Sequence, residues 1–169
     1  MKVYENGILR PMTLEEVNKI ETLPSEPREK DPIEVLTKAV KILMGGKTLS
    51  SNEDKIECNA LYPEWSPGKH TKGEVYTTPG QIWECFQDYD NAVYPSLTPT
   101  DSSWYTFNRP LHGKSVDTAR YFVQPMGAHD MYHAGEFVIY FGELYKCIQD
   151  TAYSPKDYAA AWKNWYSRD

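Results

Sequence analysis

The stretch "GEFVIYFGELYKCIQD", residues 135–150, is a second copy of "GEVYTTPGQIWECFQD", residues 73–88. The two stretches align without a gap at an offset of 62 positions, and six of their sixteen residues are identical. Each reads as a short strand, a glycine turn and a second strand, because runs of β-branched and aromatic residues are interrupted by glycine. The repeat therefore predicts that one small β module occurs twice in this chain.

Each repeated unit continues beyond its hairpin into a proline-containing loop that ends near a tryptophan. A unit of about 45 residues is near the lower limit for an independent core, so aromatic rings must supply most of the buried area. The chain is rich in them, with thirteen Tyr, five Trp and five Phe. We assign four rings to the two cores: Trp83, Trp104, Tyr145 and Trp162. Cys85 and Cys147 occupy the same place in both copies, which favours a small buried position over a disulfide.

The first fifty residues have a different pattern. Asn6-Gly7 between apolar stretches predicts a tight hairpin, and the pair of Thr13 with Glu16 predicts a short helix over 13–23. A second helix is expected to begin after Asp31 and to end at Gly45-Gly46. Its apolar face is too wide for a lone surface helix. We expect contact with other subunits or a partner through Ile33, Leu36, Val40 and Leu43; packing on the chain's own modules is the alternative.

These patterns define the predicted architecture. The fold class is mainly β with an N-terminal α-helical segment, followed by two small antiparallel three-stranded β modules in tandem. Residues 1–56 form the attachment or oligomerisation segment, and residues 57–108 form the first module. Residues 109–118 are the linker, and residues 119–169 form the second module.

Composition excludes several functional classes. The net charge is −6, the pI is about 5.3, and the eighteen Lys and Arg are scattered, so the basic stripe of a nucleic-acid binder is absent from the sequence. No apolar run is long enough for a membrane span, and the N-terminus lacks the apolar stretch of a signal peptide. His129 and His133 would need a helix to share a metal, and the neighbouring glycines argue against one, so we expect no metal.

An enzymatic role finds no support in the sequence. A glycosidase needs two carboxylates on either side of a cleft, and a module of this size offers none deep enough. The chain contains no nucleophile motif, no phosphate-binding loop and no dinucleotide fingerprint. We therefore expect a protein that is not an enzyme and has no cofactor.

The stretch "YHAGEFVIYFGELYKCIQDTAYSPKDYAAAW", residues 132–162, resembles the small chitin-binding module of bacterial chitinases, the family 5/12 carbohydrate-binding module. The positions that match its pattern are Tyr132, Gly135, Val138, Gly142, Tyr145, Cys147, Pro155 and Trp162. The first copy matches at Gly73, Gly80, Trp83, Cys85 and Trp104, with Tyr76 at an apolar strand position and a loop four residues longer.

The resemblance implies sugar binding through an exposed ring two residues before the loop proline. In the second copy that ring is Tyr153, before Pro155, and its best counterpart in the first copy is Tyr94. Both replace the tryptophan that is usual in the family. Trp65 and Tyr140 are further candidate carbohydrate-binding residues, and Trp165 is ambiguous. For Tyr94 and Tyr153, local packing is the alternative to a surface role.

Other parts of the chain resemble a narrower group of proteins. "VQPMGAHDMYHAGE", "DNAVYP" and "VYENGILRPMTLEE" are similar to proteins from tail modules of phages and prophages of Gram-positive bacteria. The resemblance implies a virion component of a tail tip, tail fibre or baseplate, or of a tail-like bacteriocin, made in the bacterial cytoplasm. Its implied partners are other phage tail or baseplate proteins and host cell-wall polysaccharide, and a homo-oligomer is expected, with a trimer favoured.

Three functions follow from these resemblances. In the first, the tandem carbohydrate-binding-like modules serve host attachment by binding cell-wall glycan. In the second, the protein is purely structural and its modules dock onto neighbouring subunits. In the third, the chain is an accessory binding module of a secreted chitinase-like system. Exposure of the candidate rings is the feature that separates adhesion from a purely structural role.

Overall fold

The computed structural model describes residues 2–5, 8–11, 13, 25–44, 49–99 and 101–165. The helices of this part are α1 (Pro32–Met44) and α2 (Asn52–Glu57). Its strands are β1 (Lys2–Glu5), β2 (Ile8–Pro11), β3 (Lys69–His70), β4 (Val75–Thr78), β5 (Gln81–Cys85), β6 (Tyr89–Asp90), β7 (Asn108–Pro110), β8 (Arg120–Tyr121), β9 (Phe137–Tyr140), β10 (Glu143–Cys147) and β11 (Trp162–Asn164). Short 3-10 turns cover Asn59–Leu61, Trp104–Thr106 and Ala159–Ala161.

The predicted fold class is confirmed, with small β-sheets following a helical N-terminal segment. Strands β1 and β2 pair antiparallel, although the predicted Asn6-Gly7 turn between them lies outside the described residues. The same holds for the predicted helix over 13–23, of which only Thr13 is described. Helix α1 lies where the second helix was predicted, and Asp31 Oδ1 accepts a hydrogen bond of 2.8 Å from the Ile33 amide at its start.

The two modules share one strand arrangement. In the first, β5 lies between β4 and β7, and all three are antiparallel. In the second, β10 lies in the same way between β9 and β11. The second sheet also has a fourth strand, because β8 pairs parallel with β9. A single parallel bridge between Glu64 and Thr77 occupies the corresponding place in the first module.

Glycines recur in the repeat because the backbone requires them. Gly73 and Gly135 have φ values of 94° and 100°, and Gly80 and Gly142 have φ values of 73° and 78°. Side chains with a Cβ rarely adopt this left-handed region. The amides of Gly73 and Gly135 each donate 2.8 Å hydrogen bonds, to the carbonyls of Cys85 and Cys147 respectively. The two copies thus share these glycines because both hairpins need the same backbone conformation at these positions.

The repeated cysteines are fully buried, as predicted. Cys85 and Cys147 are 0% exposed, and each Sγ donates a 3.0 Å hydrogen bond to the carbonyl two residues ahead. Burial raises the pKa of each thiol to about 11. Cys58 is also buried, and all three are free thiols.

Strand register corrects the sequence-based match between Trp104 and Trp162. Cys147 pairs with Trp162, 15 positions on, whereas Cys85 pairs with Asn108, 23 positions on. The first copy's loop is therefore eight residues longer, not four, and Asn108 occupies the strand position of Trp162. The exchange is compensated in volume, because Tyr76 replaces Val138 and donates its hydroxyl hydrogen bond to Asn108, while Trp104 fills the same core from the preceding turn.

Residues 109–118, predicted to be a linker, are largely packed. Arg109 and Pro110 belong to strand β7, and Leu111 is fully buried against Ile56 and Ile82. Thr118 is also fully buried. Residues 109–118 therefore contribute buried side chains and part of strand β7 to the fold. The repeat pattern ends before them, so it could not show that they are not a linker.

Polar contacts hold helix α2 and the charged segment before α1 against the second module and the residues just before it. Glu53 accepts 2.7 Å hydrogen bonds from the Lys114 amide and from Thr118 Oγ1. The Arg120 guanidinium is 4% exposed and contacts the Glu29 carboxylate at 3.2 Å and the Ile56 carbonyl at 3.3 Å. Burial lowers the pKa of Arg120, and the Glu29 carboxylate opposes that shift.

The modules also contact each other directly. Gln81 Nε2 donates a 3.1 Å hydrogen bond to the Tyr121 carbonyl, and Val123 packs against the first core. A Cβ added to Gly80 would lie 2.4 Å from the Tyr121 ring. The turn of the first hairpin is thus closed off by the first strand of the second module.

Candidate functional site

Two of the four candidate sugar-binding rings are well exposed. The side chain of Tyr153 is 62% exposed and that of Tyr94 is 47% exposed, whereas Tyr140 and Trp65 are half-buried. Tyr153 is held by its backbone, because its amide donates to Thr151 Oγ1 and its carbonyl accepts from Trp162 Nε1, both at 3.0 Å. These bonds fix the main chain from which the ring projects, so binding a ligand orders no additional backbone there.

A set of four aromatic residues on the second module forms what we call the aromatic patch: Tyr140, Phe141, Tyr153 and Tyr158. The rings of Tyr140 and Phe141 meet edge to face with centroids 4.6 Å apart. The rings of Tyr153 and Tyr158 meet in the same way at 6.3 Å. The two pairs are linked because the Tyr140 hydroxyl lies 3.5 Å from Ser154 Oγ, next to Tyr153 in the chain.

Phe141 is the residue of this patch that the sequence analysis did not select. Its side chain is 87% exposed, and its φ of 50° makes it the one residue other than glycine with positive φ in the described part of the chain. It lies with Gly142 in a two-residue hairpin between Tyr140 and Glu143. Both positions of this turn have positive φ, the geometry for which Asn-Gly is preferred. An aromatic residue directly before the turn glycine, where Asn is preferred, was the feature of the sequence that could have identified Phe141 as a candidate.

The corresponding turn of the first module is different in chemistry and in exposure. It contains Pro79 and Gly80, which lie between Thr78 and Gln81. Gly80 faces the Tyr121 ring and Pro27, whereas a Cβ added to Gly142 would meet nothing within 4 Å. The two copies therefore share a fold but do not present the same surface.

Tyr94 does not occupy the place of Tyr153. At the offset of 62, the counterpart of Tyr153 is Asn91, whose side chain donates to the carbonyls of Tyr94 and Leu97 and accepts from the Gly68 amide. Asn91 thus braces the longer loop, and Tyr94 lies three residues further on, with its ring 5.4 Å from that of Phe107. The sequence match between Tyr94 and Tyr153 is corrected by this register.

Trp65 has a packing role. Its amide donates a 2.9 Å hydrogen bond to Thr77, just as the Phe122 amide donates to Ile139 in the second module. Both rings are half-buried against the core of their own module. Trp65 Nε1 also donates a 3.0 Å hydrogen bond to the Tyr89 hydroxyl. Trp65 thus packs against the first core at the position that Phe122 has in the second module, which leaves only part of its ring open to a ligand.

The rings assigned to the cores lie as follows. Trp83, Trp104 and Trp162 are buried, whereas Tyr145 is half-buried and its hydroxyl donates a 2.7 Å hydrogen bond to Glu143. Trp165, which the sequence left ambiguous, packs edge to face on Phe137 at 5.0 Å.

Polar groups flank the aromatic patch. Ser154 Oγ donates a 2.6 Å hydrogen bond to the exposed Asp157 carboxylate, and Lys156 is exposed beside it. On the loop before this segment, hydrogen bonds from His133 and from the Ala134 amide lower the pKa of Asp150. Exposed aromatic rings with the exposed Asp157 carboxylate next to Tyr158 in the chain suit a ligand with both a C–H face and hydroxyl groups.

Helix α1 presents the predicted contact residues to solvent. Ile33, Leu36, Val40 and Leu43 are 74%, 57%, 43% and 60% exposed. Val35 and Ala39 form the neighbouring stripe of the helix and are buried against Cys58. The helix is thus anchored by one apolar stripe, and the described residues leave a second apolar stripe beside it exposed.

Three histidines line a polar cavity of about 130 Å³ between the modules: His112, His129 and His133. The His112 ring is buried, with Nδ1 3.0 Å from the Glu136 carboxylate and its face stacked on Tyr132 at 3.9 Å. Among the described residues, no three His, Cys, Asp or Glu side chains lie close enough together to hold a metal ion. We assign this cavity no ligand.

Comparison with known proteins gives no family for this chain. No protein-family model matches it, and no curated protein matches it. Within the described part of the chain, neither helix has the length and apolar character needed to cross a membrane.

Proposed function

We propose that this protein is a non-catalytic component of a phage tail or tail-like particle, and that the aromatic patch of its second module attaches to host cell-wall glycan. The observation that carries the proposal is Phe141, an aromatic ring that is 87% exposed on a turn with positive φ. Such a residue destabilises its own turn and leaves apolar surface in water. Binding of a ligand to the Phe141 ring would offset both the strain of the turn and the exposure of apolar surface.

The mode of binding follows from the chemistry of the patch. A pyranose presents a face of axial C–H groups that can lie on an aromatic ring, while its hydroxyls bond to flanking polar groups such as Asp157. By analogy with base stacking, one such ring contributes on the order of 1–3 kcal/mol. One patch would therefore bind weakly, and several patches on one particle would raise the overall affinity by avidity.

Helix α1 supplies the proposed means of assembly. Its exposed residues at 33, 36, 40 and 43 follow the alternating three- and four-residue spacing of a coiled-coil seam. We favour identical helices of other subunits as the partner, and a trimer follows the tail-fibre resemblance. Neighbouring tail or baseplate proteins are the alternative partner for the same stripe.

A pull-down experiment tests attachment through the patch. The full chain is mixed with purified Gram-positive cell wall or with chitin, and the bound fraction is measured for the wild type and for Tyr153→Ala. We expect Tyr153→Ala to lose most of the binding while its circular dichroism stays unchanged. Val93→Ala is the matched control, because Val93 is a 66% exposed apolar side chain on the first module.

Tyr94→Ala separates a bivalent protein from one that binds through the second module alone. If Tyr94→Ala binds as the wild type does, the second module carries attachment. Retention of full binding by Tyr153→Ala, or no binding of the wild type to any wall or chitin preparation, would exclude attachment through this patch.

A structural role is the second candidate, and the contact at Gly80 favours it. There the hairpin turn of the first module is covered by Tyr121 of the next module. The turn at Gly142 is open and could receive a neighbouring subunit in the same way. Under that hypothesis Phe141→Ala impairs particle assembly but leaves binding to cell wall unchanged.

A further inference from the structure

His70 is a buried histidine of the first module whose two ring nitrogens both face hydrogen-bond acceptors. It lies on strand β3 and is 9% exposed. Its Nδ1 lies 3.1 Å from the Glu74 carboxylate, and its Nε2 lies 3.0 Å from the Ser66 carbonyl oxygen. A carbonyl oxygen can only accept a hydrogen bond, and so can an ionised carboxylate. Both bonds are therefore made only when both ring nitrogens carry a proton, which is the charged form of the ring.

The carboxylate that faces this ring is ionised at neutral pH. Burial alone would raise the pKa of Glu74, but the hydrogen bonds from Thr71 and His70 prevail and hold it below its ordinary 4.5. A neutral ring would turn a lone pair either toward that carboxylate or toward the Ser66 carbonyl, and neither of them can donate. The contacts thus fit the charged ring and disfavour the neutral one.

Aromatic rings stack on His70 from the surrounding core. The Tyr89 ring, on strand β6, lies nearly parallel to it with centroids 4.7 Å apart, and the Trp65 ring is stacked at 6.1 Å. The face of an aromatic ring attracts a cation at such distances. The packing around the histidine is therefore compatible with a buried positive charge.

The other titratable groups near His70 do not replace Glu74 as its partner. The Tyr76 ring, on strand β4, lies 5.2 Å away, and burial raises its pKa, so it stays neutral. The Lys69 ammonium on β3 and the Asp90 carboxylate on β6 lie 3.9 Å apart and offset each other. The Glu74 carboxylate therefore supplies the charge that balances the imidazolium.

The second module makes the same contact with a group that does not titrate near neutral pH. At the offset of 62 Tyr132 takes the place of His70, and Val123 takes that of Ser66, since each directly follows the half-buried ring of its module. The Tyr132 hydroxyl donates to the Val123 carbonyl at 3.3 Å. Burial raises the pKa of Tyr132, so this bond is unchanged across the neutral range. The first module thus uses an imidazole where the second uses a phenol.

The bond to Ser66 braces the segment that holds the long loop of the first module. Two residues further on, the Gly68 amide donates to Asn91 Oδ1 at 3.2 Å, and the Gly68 carbonyl accepts from the Asn91 amide at 3.1 Å. The Asn91 side chain in turn donates to the Tyr94 carbonyl at 3.3 Å. Loss of the bond from the histidine to Ser66 would therefore loosen this loop.

We infer that His70 is a pH-sensitive latch on the loop that carries Tyr94. When the pH rises and the ring gives up a proton, Nδ1–H stays with the Glu74 carboxylate, because a hydrogen bond to a charged group is the stronger one. The bond to Ser66 is then lost. The latch therefore stabilises the first module while the ring is charged, and this contribution disappears as the pH rises through the range in which the ring is deprotonated. The inference is independent of the proposed glycan binding.

Nuclear magnetic resonance of the full chain, labelled with ¹⁵N, tests the latch. At pH 7, where an ordinary histidine is mostly neutral, we expect both His70 ring nitrogens to carry a proton. As the pH is raised to 9, Nε2 should lose its proton. The Gly68 and Asn91 amides should then lose protection from hydrogen exchange about tenfold relative to the Tyr132 amide, as the loss of one hydrogen bond implies.

Two variants and a control complete the experiment. His70→Tyr copies the second module and should keep the Gly68 and Asn91 amides protected up to pH 9. Glu74→Gln removes the balancing charge and should let the ring lose its proton at a lower pH, which tests the latch even if His70→Tyr is unstable. His129→Gln changes an exposed histidine and should leave both responses as in the wild type. A His70 ring with a single proton at pH 7, or amide protection that does not follow the ring, would overturn the inference.

Discussion

At the scale of single residues, Phe141 combines a local cost with an exposed ring. In Phe141→Asn the turn becomes Asn-Gly, the preferred pair for two positions with positive φ. We expect the free energy of unfolding to rise by about 0.5–1 kcal/mol, since the strain is relieved. If the aromatic patch binds cell-wall glycan as proposed, that binding should fall about tenfold, because a stacking ring is lost.

Denaturant unfolding and a wall-binding isotherm measure the two effects together. A rise in stability together with a loss of binding would indicate that Phe141 serves contact with a ligand rather than the stability of its turn. A variant that is less stable than the wild type would mean that Phe141 holds the turn by its own packing.

Gly80 and Gly142 form a matched pair for measuring the contact between modules. Ala at either position has an unfavourable positive φ, which costs about 1 kcal/mol. At Gly80 the new methyl group would also lie 2.4 Å from the Tyr121 ring, whereas at Gly142 it meets nothing within 4 Å. We expect Gly80→Ala to destabilise by about 2–4 kcal/mol and Gly142→Ala by about 1 kcal/mol. Equal losses in urea unfolding would show that Tyr121 moves aside without cost.

At the scale of secondary-structure elements, Glu84 joins helix α2 to strands β5 and β7. Its carboxylate contacts Lys55 at 2.5 Å and Arg109 at 2.6 Å. Burial alone would raise its pKa, but the hydrogen bonds from Lys55 and Arg109 prevail, so the pKa of Glu84 lies below its ordinary 4.5. A carboxyl with a lowered folded-state pKa stabilises the fold above its ordinary pKa and loses that contribution as the pH falls through the lowered value.

We therefore expect the stability of the wild type to fall as the pH decreases below about 5, and Glu84→Gln to flatten that decrease. At neutral pH the variant should lose about 1–3 kcal/mol, as for hydrogen bonds to a charged group. Urea midpoints between pH 3 and pH 7 measure this. Glu64→Gln, at an exposed position of the same module, is the control, and an identical pH profile for Glu84→Gln and the wild type would contradict the assignment.

The strands were predictable from sequence where the repeat is ungapped, because alternation and turn glycines are local signals. Three features were not local. Asn108 can take the strand position of Trp162 only because Tyr76 and Trp104 fill the space that the Trp162 ring fills in the second core. Strand β8 is defined by its pairing with β9. Residues 109–118 are held by their contacts with helix α2. Of the candidate residues, Tyr153 and Tyr140 lie in the aromatic patch, Tyr94 is exposed on the first module, and Trp65 packs partly buried against the first core. Phe141 was not selected from the sequence, because its exposure depends on how the hairpin is placed in the fold.

At the scale of the whole molecule, helix α1 leaves an apolar stripe that nothing in the described chain covers. If identical helices meet there, Leu36→Glu should shift sedimentation toward the monomer, because a charge would be buried in each contact. Thr37→Glu places the same charge on a neighbouring exposed position and should leave assembly unchanged. A Leu36→Glu protein that sediments as the wild type does would show that α1 takes no part in self-association, and would favour a different protein as its partner.

The buried cysteines make each part of the molecule separately observable. Cys58 lies under helix α1, Cys85 in the first sheet and Cys147 in the second. Burial raises the pKa of all three thiols, which makes them slow to react with alkylating reagents. Labelling followed by mass spectrometry would then report when each part opens. Because Gln81 and Val123 join the two modules and Arg120 joins the second module to helix α2, Cys85 and Cys147 should be labelled at one common rate that reflects a single cooperative unit. Two distinct rates would mean that the two modules open independently, so that one of them could unfold while the other stayed folded.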